Sequence, residues 1–145
     1  MRRAHQPKKD MVKRWLMAAL TKQYQQICID ILIVSAATSQ QYNSQQRKID
    51  KPTNVIALEY PDSRDQFAIL TGELILCDTI IVAEAEAQNK SILDHYAHLL
   101  VHGMLHLQGL DHQHAPDAEK MERLEIEILQ GLGVANPYVE LDAVS

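Results

Sequence analysis

The sequence predicts an α+β fold, one small sheet with helices packed against it in a single domain. Three observations predict it. Segments rich in Ile, Val and Leu read as strands, while capped segments with apolar residues at helical spacing read as helices. Helices and strands do not alternate strictly, so a repeated βαβ plan is disfavoured. A length of 145 residues suits one core and leaves little room for a second.

A first helix is expected after Asp10, which can cap it, with Val12, Trp15, Leu16, Ala19 and Leu20 on one face. Residues 27–34 read as a strand, apolar on nearly both faces and so interior to the sheet. The polar stretch 35–46 is read as a short helix. Pro52 breaks the chain before a second strand over 54–60, and a third is expected over 68–77. Asp78 can cap a helix running to Gln88. Ser91, with Asp94 three residues later, opens a longer helix that ends near Gln108, with Gly109 as the left-handed stop. A last helix starts around Pro116, turns Met121, Leu124, Ile128 and Leu129 inward, and ends at Gly131.

Hydrophobic residues make up 46% of the chain and charged residues 23%, which argues against a disordered protein. The formal net charge of -5 excludes a uniformly basic nucleic-acid binder but leaves a local basic patch open. Cys28 and Cys77 lie far apart in apolar stretches and read as buried thiols in a reducing compartment. No apolar run reaches the roughly 18 residues of a membrane span. Lys8, Lys9 and Asp10 follow Arg2 and Arg3 where an export signal needs apolar residues, so a cytoplasmic protein is expected. Residues 1–10 are expected to form a flexible basic tail, with a phosphate-contacting arm as the alternative. The acidic stretch from Asp111 onward, Glu125 included, reads as a solvated helix face.

Six of the seven histidines lie between residues 95 and 114. His95, His98, His102 and His106 follow one another at intervals of three, four and four, which places them on one helical stripe. Imidazoles at i and i+4 project from the same side of a turn and can share a Zn²⁺ at about 2.0–2.1 Å. A third ligand requires the chain to turn back, and Gly109 permits the positive φ of a sharp turn. His112 then completes a three-histidine face with a fourth position open, as in catalytic zinc sites. His95, His98 and His114 read as hydrogen-bonded or surface residues, with support of the ligands as the alternative. The stretch matches the zinc-protease pattern H-E-x-x-H-x-x-G-x-x-H at its histidines and glycine, but Gly103 stands where the general-base Glu belongs. A conventional peptidase is therefore disfavoured. Asp111, the nearest carboxylate in sequence, can orient a ligand imidazole or a bound water, or cap a turn. Upstream, Arg47 suits bidentate phosphate binding if the fold carries it to the metal.

HGMLHLQGLDH closely resembles the signature H-G-x-L-H-L-x-G-x-D-H of the YbeY family, bacterial ribosomal-RNA maturation endoribonucleases. RKIDKPTNVIALEY, TGELILC, DHYAHLLVHG and MERLEIEILQGLG extend the resemblance over about residues 11–140. Two features depart from the family pattern: Ala57-Leu58 stands where Ser-Phe is usual, and residues 1–10 do not read as the usual leading strand. The resemblance implies a small mixed sheet flanked by helices, with one zinc ion in a groove like that of a zinc-dependent hydrolase. It implies His102, His106 and His112 as the zinc ligands and Arg47 as a functionally important arginine; Asp111 is carried with Arg47 as a catalytic candidate. The implied activity is cleavage of single-stranded RNA, in maturation of the small-subunit ribosomal RNA 3′ end and in ribosome quality control. Implied partners are ribosomal RNA, the ribosome or ribosomal proteins and an assembly GTPase, with no membrane or DNA partner. Two rival readings stand beside this one: a non-catalytic ribosome assembly factor with a structural zinc, and a metal-dependent hydrolase of another substrate.

Overall fold

The computed structural model describes residues 4–60, 69–110 and 115–138. Eight elements follow one another there: α1 (Lys9–Ala18), β1 (Gln26–Val34), α2 (Ala36–Arg47), β2 (Val55–Glu59), β3 (Ile69–Cys77), α3 (Asp78–Ala87), α4 (Ile92–Leu107) and α5 (Ala115–Gly131). The strands form a mixed sheet in the order β1-β3-β2, with β1 parallel and β2 antiparallel to β3. The α+β plan with one small sheet is therefore as expected. No helix among the described residues is long and apolar enough to cross a membrane.

β3 rather than β1 holds the centre. Leu70, Leu74, Ile75, Leu76 and Cys77 are all buried, because β3 has a neighbour on each side. β1 is an edge among the described strands, which exposes Leu32, Ile33 and Cys28. The expectations of an interior first strand and of a buried Cys28 are thereby corrected. Apolar composition reports burial of a face; it does not report how many neighbours a strand has.

α4 is the organising helix. Tyr96, Ala97, Leu100, Val101, Met104 and Leu105 are fully buried, and the helix packs against α1, α3, α5 and the sheet. Ser91 caps it, its Oγ accepting the Asp94 N–H at 3.0 Å. Gly103 lies so close to β3 that a Cβ there would stand 2.7 Å from Leu74 Cδ2. A side chain at this position, such as the glutamate of the protease pattern, would have to displace Leu74. Past the helix, Gly109 adopts φ 95°, as the turn requires. Gln108 ties the ends of α1 and α4 together: its Nε2 donates to Ala19 O at 2.8 Å and its Oε1 accepts the Thr21 N–H at 2.8 Å.

Two expected caps are absent. α1 begins at Lys9 without a side-chain cap, and Asp10 sits in its first turn. Asp78 is the first residue of α3, and its carboxylate instead accepts the Tyr96 hydroxyl and His5 Nε2 at 2.8 Å. His5 and the buried Gln6 are thus anchored within the segment expected to be a flexible tail.

Candidate metal and phosphate site

The polar helix α2 explains how a wall of the site is built. Ser35 caps it, its Oγ accepting the Thr38 N–H at 3.2 Å. Ser39 and Asn43 are buried because they hold the following loop. Ser39 Oγ donates to Thr53 O at 2.8 Å, and Asn43 Nδ2 donates to Lys51 O at 2.8 Å. The loop delivers Thr53 and Asn54 to a cavity of about 270 Å³ that Arg47, His98, His102, His106 and Tyr138 also line. Asn54 is pinned in turn: Nδ2 donates to Glu84 Oε1 at 3.0 Å, while Oδ1 accepts the Val55 N–H. Glu84 also accepts His95 Nε2–H at 2.9 Å. His95 is buried and outside the cavity lining, and it acts as a strut for this wall.

His102 and His106, one turn apart on α4, thus share a cavity with Arg47, which ends α2. His102 is oriented from behind. Its Nδ1–H donates to Glu125 Oε1, which puts the ring's lone pair on Nε2. A carboxylate on the far nitrogen of an imidazole is the usual support of a metal-binding histidine. Glu125 lies on α5 and is fully buried, which corrects its reading as part of a solvated face; Asp117, Glu119, Glu122 and Glu127 on the same helix are exposed. Glu125 Oε2 accepts the Tyr138 hydroxyl and lies 3.4 Å from His98 Nε2. Burial pushes the Glu125 carboxyl up, but the hydrogen bonds from His102, His98 and the Tyr138 hydroxyl outweigh it and bring it down to about 2. Burial and the neighbouring carboxylate push the Tyr138 hydroxyl up, so it stays protonated and donates.

His98 packs between its neighbours. Its ring centroid lies 6.3 Å from that of His102 and 5.3 Å from that of Tyr138, in both cases edge to face. Among the described residues Arg47 is the basic residue on the wall, Lys48 and Lys51 are exposed nearby in sequence, and Lys9 and Lys13 line a separate groove between α1 and β1. Asp111, His112 and His114 lie outside the described residues.

The profile of the family described as Endoribonuclease YbeY matches residues 2–133. The chain belongs to the YbeY family. A relative from Chromobacterium violaceum named Endoribonuclease YbeY is 43% identical over 135 residues, covering 92% of this chain and 80% of its own. A relative of the same name from Colwellia psychrerythraea is 41% identical over 140 residues, covering 92% of this chain and 89% of its own. A solution structure of a Thermotoga maritima protein, TM1509, is 21% identical and aligns over 91% of this chain and 89% of that one, with a TM-score of 0.49.

Neither Glu125 nor Tyr138 was among the expected site residues. For Glu125 a signal existed. It stands four residues after Met121 and four before Leu129, both buried, so it shares their inward stripe. No comparable signal points to Tyr138.

Proposed function

We propose that this chain is a zinc-dependent endoribonuclease of single-stranded RNA, acting in the cytoplasm on ribosomal RNA. Its tasks on this reading are maturation of the small-subunit RNA 3′ end and ribosome quality control. The proposed partners are the ribosome, ribosomal proteins and an assembly GTPase. The name carried by the family and its curated relatives supports an RNA substrate. One structural observation supports the metal: His102 and His106 line one cavity, and a buried carboxylate on Nδ1 fixes the His102 lone pair on Nε2. Two neutral imidazoles suit zinc, and His112 is the proposed third ligand.

When bound, zinc supplies a Lewis acid for a phosphate oxygen and lowers the pKa of a bound water. The chain's own groups do the rest. Arg47 binds the scissile phosphate through its planar fork and offsets the charge that grows on it. Asn54, held by Glu84, fixes the wall beside it. Asp111 is proposed to orient a ligand imidazole or a water. RNA carries its own 2′-OH nucleophile, so the glycine at 103 is no bar to cleavage.

The test is cleavage of a labelled RNA that contains single-stranded and duplex segments. Cuts confined to the single strand, abolished by chelation, restored by zinc and lost in His106→Ala support the reading. Equal cleavage by His106→Ala refutes the role of the metal. Ribosome association without cleavage under any of these conditions points to the assembly-factor reading, and activity on a peptide panel alone points to another hydrolase.

A further inference from the structure

The segment after α5 runs into the site by a fixed route. The Val134 N–H closes the helix onto Leu129 O at 2.8 Å, and the Val134 side chain is buried. Asn136 Oδ1 then accepts the Tyr138 N–H at 2.8 Å, which sets the turn from which the ring projects. The Tyr138 hydroxyl reaches the fully buried carboxylate of Glu125. A carboxylate withdrawn from water needs a donor on each oxygen. Oε1 has His102 Nδ1–H. Oε2 has the Tyr138 hydroxyl, with His98 Nε2 as a second donor at the longer distance of 3.4 Å, a weaker hydrogen bond. Without the hydroxyl, the carboxylate can turn Oε2 toward His98 and draw Oε1 away from His102.

We infer that Tyr138 is a positioning residue for His102, acting through Glu125, so that the segment after α5 is part of the metal site. The inference rests on the reading of His102 as a metal ligand. The hydroxyl holds Glu125 in the one orientation that keeps the His102 proton on Nδ1 and the lone pair on Nε2. The Tyr138 hydroxyl oxygen also lies 3.2 Å from His98 Nε2, so it competes with the carboxylate for that second imidazole.

The experiment compares wild type, Tyr138→Phe, Glu125→Gln and the double variant, each checked for fold by circular dichroism. Zinc affinity is read by competition with a chromophoric chelator. Tyr138→Phe is expected to weaken zinc binding about 10-fold, the low end of the effect of removing an outer support. In the Glu125→Gln background the same change is expected to have no further effect, because the two act in series. Unchanged affinity in Tyr138→Phe, or an equal loss in both backgrounds, overturns the inference. A second readout needs no metal. Nitrogen-15 NMR of the imidazoles in zinc-free protein is expected to find His102 protonated on Nδ1 in wild type and mixed between nitrogens in Tyr138→Phe. An unchanged His102 tautomer overturns the inference even where zinc binds. Failure of the wild type to bind zinc, with the tautomer shift present, overturns the metal reading instead.

Discussion

Arg47 ends α2 on the wall that His102 and His106 share. On the proposed reading its guanidinium meets a phosphate through two parallel hydrogen bonds, which a lysine cannot copy. Arg47→Ala is expected to lower single-turnover RNA cleavage by about 10²-fold, the scale of losing one transition-state donor, with zinc content unchanged. A coordinate loss of zinc would place Arg47 in the metal site's architecture instead. At this scale Gly109 and Ser91 were readable from sequence, since a turn and a cap depend on a residue's immediate neighbours. Glu125 was not read, because its charge suggested solvent and its donors come from α4 and from beyond α5. Asp78 was read as a helix cap, because its actual partners Tyr96 and His5 are 18 and 73 residues away.

Among the elements, α4 carries the heaviest demands, since it presents the histidine stripe on one side and core on the others. Its distance from β3 is set at Gly103, where Leu74 fills the space of a Cβ. Gly103→Ala is therefore expected to destabilise the protein by about 1–3 kcal/mol, the cost of overpacking a filled core, and to shift His102 and His106 relative to Arg47. Urea unfolding measures the first effect and zinc affinity the second; an unchanged midpoint would mean that Leu74 yields without cost. Leu100 is fully buried on the same helix, so Leu100→Ala is expected to cost about 2–5 kcal/mol through the cavity it leaves. The three strands among the described residues were legible to within about a residue because their apolar runs are bounded by turn residues. The order of the strands was not, because pairing is fixed by contacts distant in sequence. The apolar strand β1 accordingly lies at an edge among the described strands.

For the molecule as a whole, the buried polar groups set the response to acid. Burial pushes the His95 imidazole below its ordinary value of 6.5, with Glu84 pulling the other way and Lys90 adding to the fall. The stability linked to neutral His95 is present above pH 6.5 and is lost as pH falls through its lower folded value. Burial pushes the Asp78 carboxyl up, but Tyr96 and His5 outweigh it and hold it below its ordinary value of 3.8. That contribution is present above pH 3.8 and is lost below it. Metal-free protein is thus expected to lose stability toward acid in two steps. Urea midpoints measured across pH should place the first below pH 6.5 and the second below pH 3.8. Glu125, held down to about 2, loses its contribution in the same range, so Asp78→Asn should shrink the second step and leave the first intact; an unaltered second step would assign it to Glu125.

The central claim is that a metal held by His102 and His106, beside Arg47, gives this YbeY-family chain its site. Anomalous diffraction at the zinc edge from zinc-loaded crystals tests it most directly. The account predicts one peak per chain, in the cavity, within bonding distance of the His102 and His106 imidazoles. A peak elsewhere, or none in that cavity, would contradict it.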